Sequence, residues 1–189
     1  MKEGKIIILS APSGTGKSTI IAQLMQNPAL NLGFSISATS RNPRGNEQHG
    51  REYYFLTQED FMHRVVNNEF VEWEEVYKGT CYGTLRSEVR RVVESGRNLI
   101  MDIDVMGALN VKEQYGDKAM SIFILPPSVA ELERRLRTRN TDTEQAITNR
   151  IEKARFEMEK ADRFDCQVVN DNLQDAVREV AELIENFIR

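Results

Sequence analysis

The residues with the clearest chemistry stand near the N-terminus, where Lys17 and Ser18 follow a short loop containing Gly14 and Gly16. Small residues let backbone N–H groups approach anionic oxygens, lysine adds a cation, and a serine hydroxyl at this place suits Mg²⁺. The apolar run Ile6, Ile7, Ile8, Leu9 with Ser10 predicts a buried strand before the loop. Ile20, Ile21, Leu24 and Met25 predict an amphipathic helix after it, from about Lys17 to Gln26. Together these make a cradle for a polyphosphate, because a helix start presents unpaired N–H donors and the positive end of its dipole. The pattern G-x-x-x-x-G-K-S/T is met except at its first position, which is Ala11. Without the flanking strand and helix the loop would read as an ordinary glycine turn.

A second group lies further on. Arg41 and Arg44 sit in the polar stretch from Thr39 to Arg51, with Tyr53 just beyond. Two guanidinium forks and a phenol suit oriented binding of a small dianion. A solvated loop carrying unrelated charges is the alternative. Glu72 and Asp104 are candidate readers of a base. Guanine presents N1–H and an amino group side by side, and one carboxylate accepts from both. A hydroxyl such as Ser37 or Thr84 can donate to its O6. Adenine presents a different edge, so a glutamate there favours guanine, although Glu72 alone also fits a surface position on an edge strand.

Asp102 ends the apolar run Asn98 to Asp102. Ligands collect at such strand ends in α/β sheets, and a carboxylate there can hold Mg²⁺ through water. A helix N-cap is the other reading of Asp102-Ile103-Asp104. Arg134, Arg135, Arg137 and Arg139, then Arg150, can neutralise a transferring phosphoryl group, or can form an exposed basic face balanced by Glu131 and Glu133.

The elements that must carry these residues follow from periodicity. Strands are expected at Phe34–Ser37, Tyr53–Leu56, Phe70–Tyr77, Asn98–Asp102, Met120–Leu125 and Cys166–Val169. In Phe70–Tyr77, Val71, Trp73 and Glu75 should share one face. Gly79 and Gly83 suggest turns. Helices are expected from Thr57, from a Thr84 cap to about Glu94, from Val105 to Gln114, after Ser128, from Thr143 to Ala161, and from Leu173 to Phe187. Strands alternating with helices imply a parallel sheet covered on both faces. The expected division is a core of residues 1–33, 84–127 and 157–189, a β-rich insertion at 34–83, and a helical lid at 128–156.

With 189 residues and a net charge of −4, the chain suits one domain with insertions and not a general binder of nucleic acid or anionic membrane. Cys81 and Cys166 fit no metal or redox spacing, and His49 and His63 form no ligand pair. No signal-peptide pattern and no run of transmembrane length is visible, so the cytoplasm is the expected compartment.

With these residues assembled, the chain resembles a guanylate kinase over essentially its whole length. The motifs in order are SAPSGTGKS, SISATSRNPR, FVEWEE, CYGT, MDIDVMGA, ILPPSVAELERRLRTR and VVND. The resemblance implies a P-loop three-layer α/β fold and Mg²⁺-dependent phosphoryl transfer from ATP to GMP. It implies that Ala11, Pro12, Ser13, Gly14, Thr15, Gly16, Lys17, Ser18 and Thr19 bind ATP, with Asn170 near the adenine. Ser37, Arg41, Arg44, Tyr53, Glu72, Tyr82, Thr84 and Asp104 would hold GMP. Ser18 and Asp102 would support the metal, and Lys17, Arg41, Arg139 and Arg150 would act on the transferring group. Departures from the family pattern are Ala11, Gly45-Asn46 in place of x-Gly, Met106, Asn140 and Asn172. A kinase for another nucleoside monophosphate, or a non-catalytic binding module of the same fold, are the alternatives. The functional unit is a monomer or a homodimer.

Overall fold

The computed structural model describes residues 3–138 and 143–189. In chain order the elements are β1 (Ile6–Ser10), α1 (Lys17–Leu24), β2 (Leu32–Phe34), β3 (Ala38–Thr39), β4 (Tyr54–Phe55), α2 (Gln58–Val66), β5 (Phe70–Tyr77), β6 (Thr80–Leu85), α3 (Arg86–Glu94), β7 (Asn98–Asp102), α4 (Val105–Tyr115), β8 (Ala119–Leu125), α5 (Val129–Thr138), α6 (Glu144–Met158), β9 (Cys166–Val169) and α7 (Leu173–Ile188).

The core is a five-stranded parallel sheet in the order β2-β7-β1-β8-β9. All five residues of β1 are buried, as a strand covered on both faces requires. Side chains alternate across it. Ile6 and Ile8 pack with Val89 and Val92 of α3 and Ala108 and Leu109 of α4. Ile7 and Leu9 pack with Ile20 and Leu24 of α1 and Val180 and Ile184 of α7. This is the expected three-layer architecture.

A second sheet, β4-β3-β6-β5, stands apart with its own small core. Its β3–β4 pair is parallel and its other pairs are antiparallel. Phe61 of α2 stacks on Phe70 of β5 with ring centroids 4.4 Å apart, beside Ala38, Cys81 and Leu85. A third cluster joins Leu132 and Leu136 of α5 to Ile147, Ile151 and Ala154 of α6.

Several expectations change. The Phe34–Ser37 strand lies earlier: β2 ends at Phe34 and pairs with β7, adding a fifth core strand too short to read from alternation. Ser35 and Ile36 form the link to the second sheet, with Ser35 N–H donating to Ile100 O and Ile36 N–H to the buried Glu88 carboxylate. Gly83 lies inside β6, paired with Ala38 and Trp73, and not at a turn; glycine is required there because a Cβ would stand 2.7 Å from the Glu72 carbonyl. Thr84 is likewise a buried strand residue opposite Glu72, and α3 starts after Leu85 instead. Between Phe70 and Glu72 the register shifts, so Val71 turns into the main core while Trp73 is exposed. A bulge of this kind re-aims side chains that simple alternation would place together.

Candidate active site

The glycine loop joins β1 to α1, and its backbone needs its glycines. Gly14 and Gly16 have φ of +93° and +96°, a region open to glycine and costly for other residues. Ala11 is absent from the positive-φ residues, so its methyl costs nothing there, and it packs against the core beneath. Thr15 is buried and donates its hydroxyl to Pro12 O at 2.7 Å. Asn170, at the end of β9, donates its side-chain amide to Thr15 O at 2.7 Å. The Asn170 amide is therefore committed to the back of the loop. Leu132 and Leu136 of α5 close over Gly14 from the other side.

Lys17 reaches across to the neighbouring strand end. Its Nζ lies 2.5 Å from Asp102 Oδ1 and donates to Ile103 O at 3.3 Å. A cleft of about 380 Å³ opens here, lined by residues 11–14 and 16–19, by Asp102, Ile103 and Asp104, and by Arg150, Lys153 and Glu157 of α6. A second hollow of about 410 Å³ lies beside Gly14–Gly16, walled by Thr19, Arg134, Arg135, Thr138, Asn170 and Asp171. Arg135 donates to Asn170 O at 3.1 Å and pairs with Glu131, as does Arg134. Arg137 pairs with Glu133 and Glu144. Arg134, Arg135 and Arg137 thus each carry a carboxylate partner on α5 itself. Arg139 and Asn140 lie outside the described residues.

Asp104 is both acid and cap. Its Oδ1 accepts from Met106 N–H and Gly107 N–H at the start of α4, and its Oδ2 shares the space above Gly107 with Glu72 Oε2, with Glu74 also at hand. Glu72 is 7 % exposed. Burial pushes its carboxyl up to about 7, the nearby Thr84 hydroxyl opposes this, and the Asp104 charge adds to it. That hydroxyl is buried and forms no aligned hydrogen bond. Burial also raises Glu74 and Glu157, which face the same acids.

Arg41 sits in a cage of its own. Its Nε donates to Tyr82 Oη at 3.0 Å, and its guanidinium lies over the Tyr53 and Phe55 rings, 5.0 Å and 5.6 Å from their centres. Both of its Nη atoms donate to Glu47, at 2.7 Å and 2.9 Å. That fork holds the Glu47 carboxyl down at about 2 and raises the Arg41 pKa further. Glu47 also accepts from Arg44 N–H, and its own N–H donates to Arg44 O, closing a turn in which Gly45 has φ +55°. The early glycine therefore serves the turn. Asn172 likewise has a clear place, capping α7 through Gln174 and Asp175 N–H.

The structure thus gathers the loop residues, Asp102 and Arg150 on one cleft, Glu72 with Thr84 and Asp104 on an adjoining wall, and Arg41, Tyr53 and Tyr82 in one cage. Ser37 lies on the link into β3, and its carbonyl accepts from Tyr54 N–H. Sequence reasoning passed over Glu47, Lys153 and Glu157. Glu47 six residues after Arg41 carried a weak signal; Lys153 and Glu157 reach the cleft only through the packing of α6.

A parallel sheet covered on both faces, with a glycine loop feeding α1 through Lys17, defines the P-loop class of α/β proteins. The chain belongs to the guanylate kinase family, whose model matches residues 3–187. It is 54 % identical over 184 residues to a guanylate kinase of Porphyromonas gingivalis, spanning 97 % of this chain and 98 % of that one. It is 55 % identical to a guanylate kinase of Bacteroides thetaiotaomicron, spanning 98 % of this chain and 90 % of the relative. The crystal structure of guanylate kinase from Anaplasma phagocytophilum superposes with a TM-score of 0.77 at 29 % identity, covering 100 % of this chain and 88 % of that one. Among the described residues no helix is long and apolar enough to cross a membrane.

Proposed function

We propose that this protein transfers a phosphoryl group from ATP to GMP, giving ADP and GDP, with Mg²⁺, in the cytoplasm. One observation carries the reading: the three residues Asp102-Ile103-Asp104 serve both sides of the site. Asp102 and Ile103 engage Lys17 of the phosphate loop, while the Asp104 carboxylate borders Gly107 together with that of Glu72. Donor and acceptor groups are thereby anchored to one strand end, which suits in-line transfer between two bound nucleotides.

In this reading the N–H groups around Gly14–Ser18 and the α1 N-terminus hold the ATP phosphates, and Lys17 offsets their charge. Ser18 and Asp102 present hydroxyl and carboxylate oxygens to the same cleft, a hard donor set that suits Mg²⁺. A Mg²⁺ ion held by these oxygens would supply positive charge that offsets the repulsion between the two nucleotides' phosphates. Arg41, Arg44, Tyr53 and Tyr82 hold the GMP phosphate. Ionised Glu72 accepts from guanine N1–H and the amino group, with Asp104 beside it and Thr84 donating to O6. Arg150 faces the transferring group. Residues 34–83 act as the acceptor-binding unit and 128–156 as the lid, and their closure excludes water.

A coupled assay with GMP, dGMP, AMP and UMP as acceptors tests the reading. GMP should be turned over far faster than AMP or UMP, and turnover should stop when Mg²⁺ is chelated. AMP turnover equal to that of GMP would overturn it.

A further inference from the structure

Gly107 lies in the first turn of α4, where the chain has no conformational need for glycine. Its φ is not positive, and its N–H already makes an ordinary capping bond to Asp104. Glycine in a helix is destabilising relative to alanine, so the position sacrifices helix stability. What glycine supplies is the missing Cβ. A Cβ there would stand 2.9 Å from Glu72 Oε2 and 3.1 Å from Asp104 Oδ2. The first distance is shorter than real side chains tolerate, so something must move. Helix α4 is anchored in the main core through Val105, Ala108 and Leu109, and Asp104 is tied down by two backbone N–H groups. The Glu72 carboxylate is the group left to yield.

We propose that Gly107 is a specificity-determining residue: its bare Cα lets the Glu72 and Asp104 carboxylates converge on one edge of the acceptor base. This rests on the guanine-reading role of Glu72 given above. An added methyl would displace the Glu72 carboxylate by a few tenths of an ångström or more and spoil its paired acceptance from N1–H and the amino group. Charge-assisted hydrogen bonds are lost steeply with such misalignment. The effect should fall on the acceptor base and leave the phosphate loop untouched.

The test is steady-state kinetics of Gly107→Ala with GMP and AMP, alongside thermal denaturation. The GMP KM should rise about tenfold or more, as expected when a charge-assisted hydrogen bond fails. The ATP KM should stay within about twofold, and the preference for GMP over AMP should shrink by a similar factor. Tm should be unchanged or higher. In a Glu72→Ala background the same substitution should add little, because the atom the methyl strikes is gone. If Gly107→Ala lowers Tm, the Glu72→Ala/Gly107→Ala pair must restore it. An unchanged GMP KM and preference, fully additive losses in the double variant, or failure of that restoration would each overturn the proposal. A wild-type protein that does not phosphorylate GMP would instead overturn the underlying reading of the function, and the proposal with it.

Discussion

Glu47 grips both Nη atoms of Arg41, at 2.7 Å and 2.9 Å, while Tyr82 accepts from Nε at 3.0 Å. Every edge of the guanidinium is oriented before a substrate phosphate arrives. Such preorganisation reduces the ordering cost of binding. Arg41→Lys keeps the charge and loses the fork. The GMP KM should rise about tenfold to a hundredfold, with the ATP KM and Tm little changed. Glu47→Gln should raise the GMP KM by a smaller factor, since the guanidinium stays but is held less firmly. Isothermal titration with GMP checks both.

Lys17 is expected to act on chemistry more than on folding. Its pairing with Asp102 is partly solvent-exposed at both ends, so the pair contributes little to stability. Lys17→Met should leave Tm within a few degrees and lower kcat by about 10²–10³, the usual cost of removing a group that stabilises transition-state charge. Asp102→Asn should shift the Mg²⁺ concentration needed for half-maximal rate upward. Rates measured across a Mg²⁺ series separate the two roles.

Glu72 should make both stability and GMP affinity depend on pH. Burial raises its carboxyl from 4.5 to about 7 in the folded chain. Between these values the folded protein holds a proton that the unfolded chain has released. Stability therefore falls as pH rises from about 4.5 to 7, by roughly 3 kcal/mol, and the cost is complete above 7. Glu72→Gln removes this dependence and should melt higher than wild type at pH 8. Guanine binding requires the ionised form, whose share falls from about one half at pH 7 to about one eleventh at pH 6, so GMP affinity should weaken about fivefold over that interval beyond what Glu72→Gln shows, that variant reporting the phosphate titration alone.

Asn170 should matter to the donor side alone. Its amide satisfies the Thr15 carbonyl at the loop's buried back. Asn170→Ala leaves that oxygen unpaired, a loss of about 1–3 kcal/mol, and lets the loop relax. The ATP KM should rise about tenfold and Tm should fall by several degrees, with the GMP KM unchanged. A matching rise in both KM values would count against the loop-bracing role.

Local chemistry determined much of this protein from the sequence alone. The three apolar runs that became β1, β7 and β8 are long enough for burial to declare them, and the glycines, Lys17 and Ser18 mark a loop that works through its own backbone. Arg41, Glu72 and Asp104 were legible because their residue types match what a phosphate and a base edge require. What depends on packing between distant segments was decided by the tertiary structure. The three-residue β2 is a strand only because β7 offers it hydrogen bonds. Thr84 is not a helix cap because β6 continues past it opposite Glu72. The Val71 bulge, the commitment of Asn170 to Thr15, and the space at Gly107 each join residues far apart in the chain. No periodicity records such contacts, because they arise where separate elements meet and steric and hydrogen-bonding demands must be satisfied together.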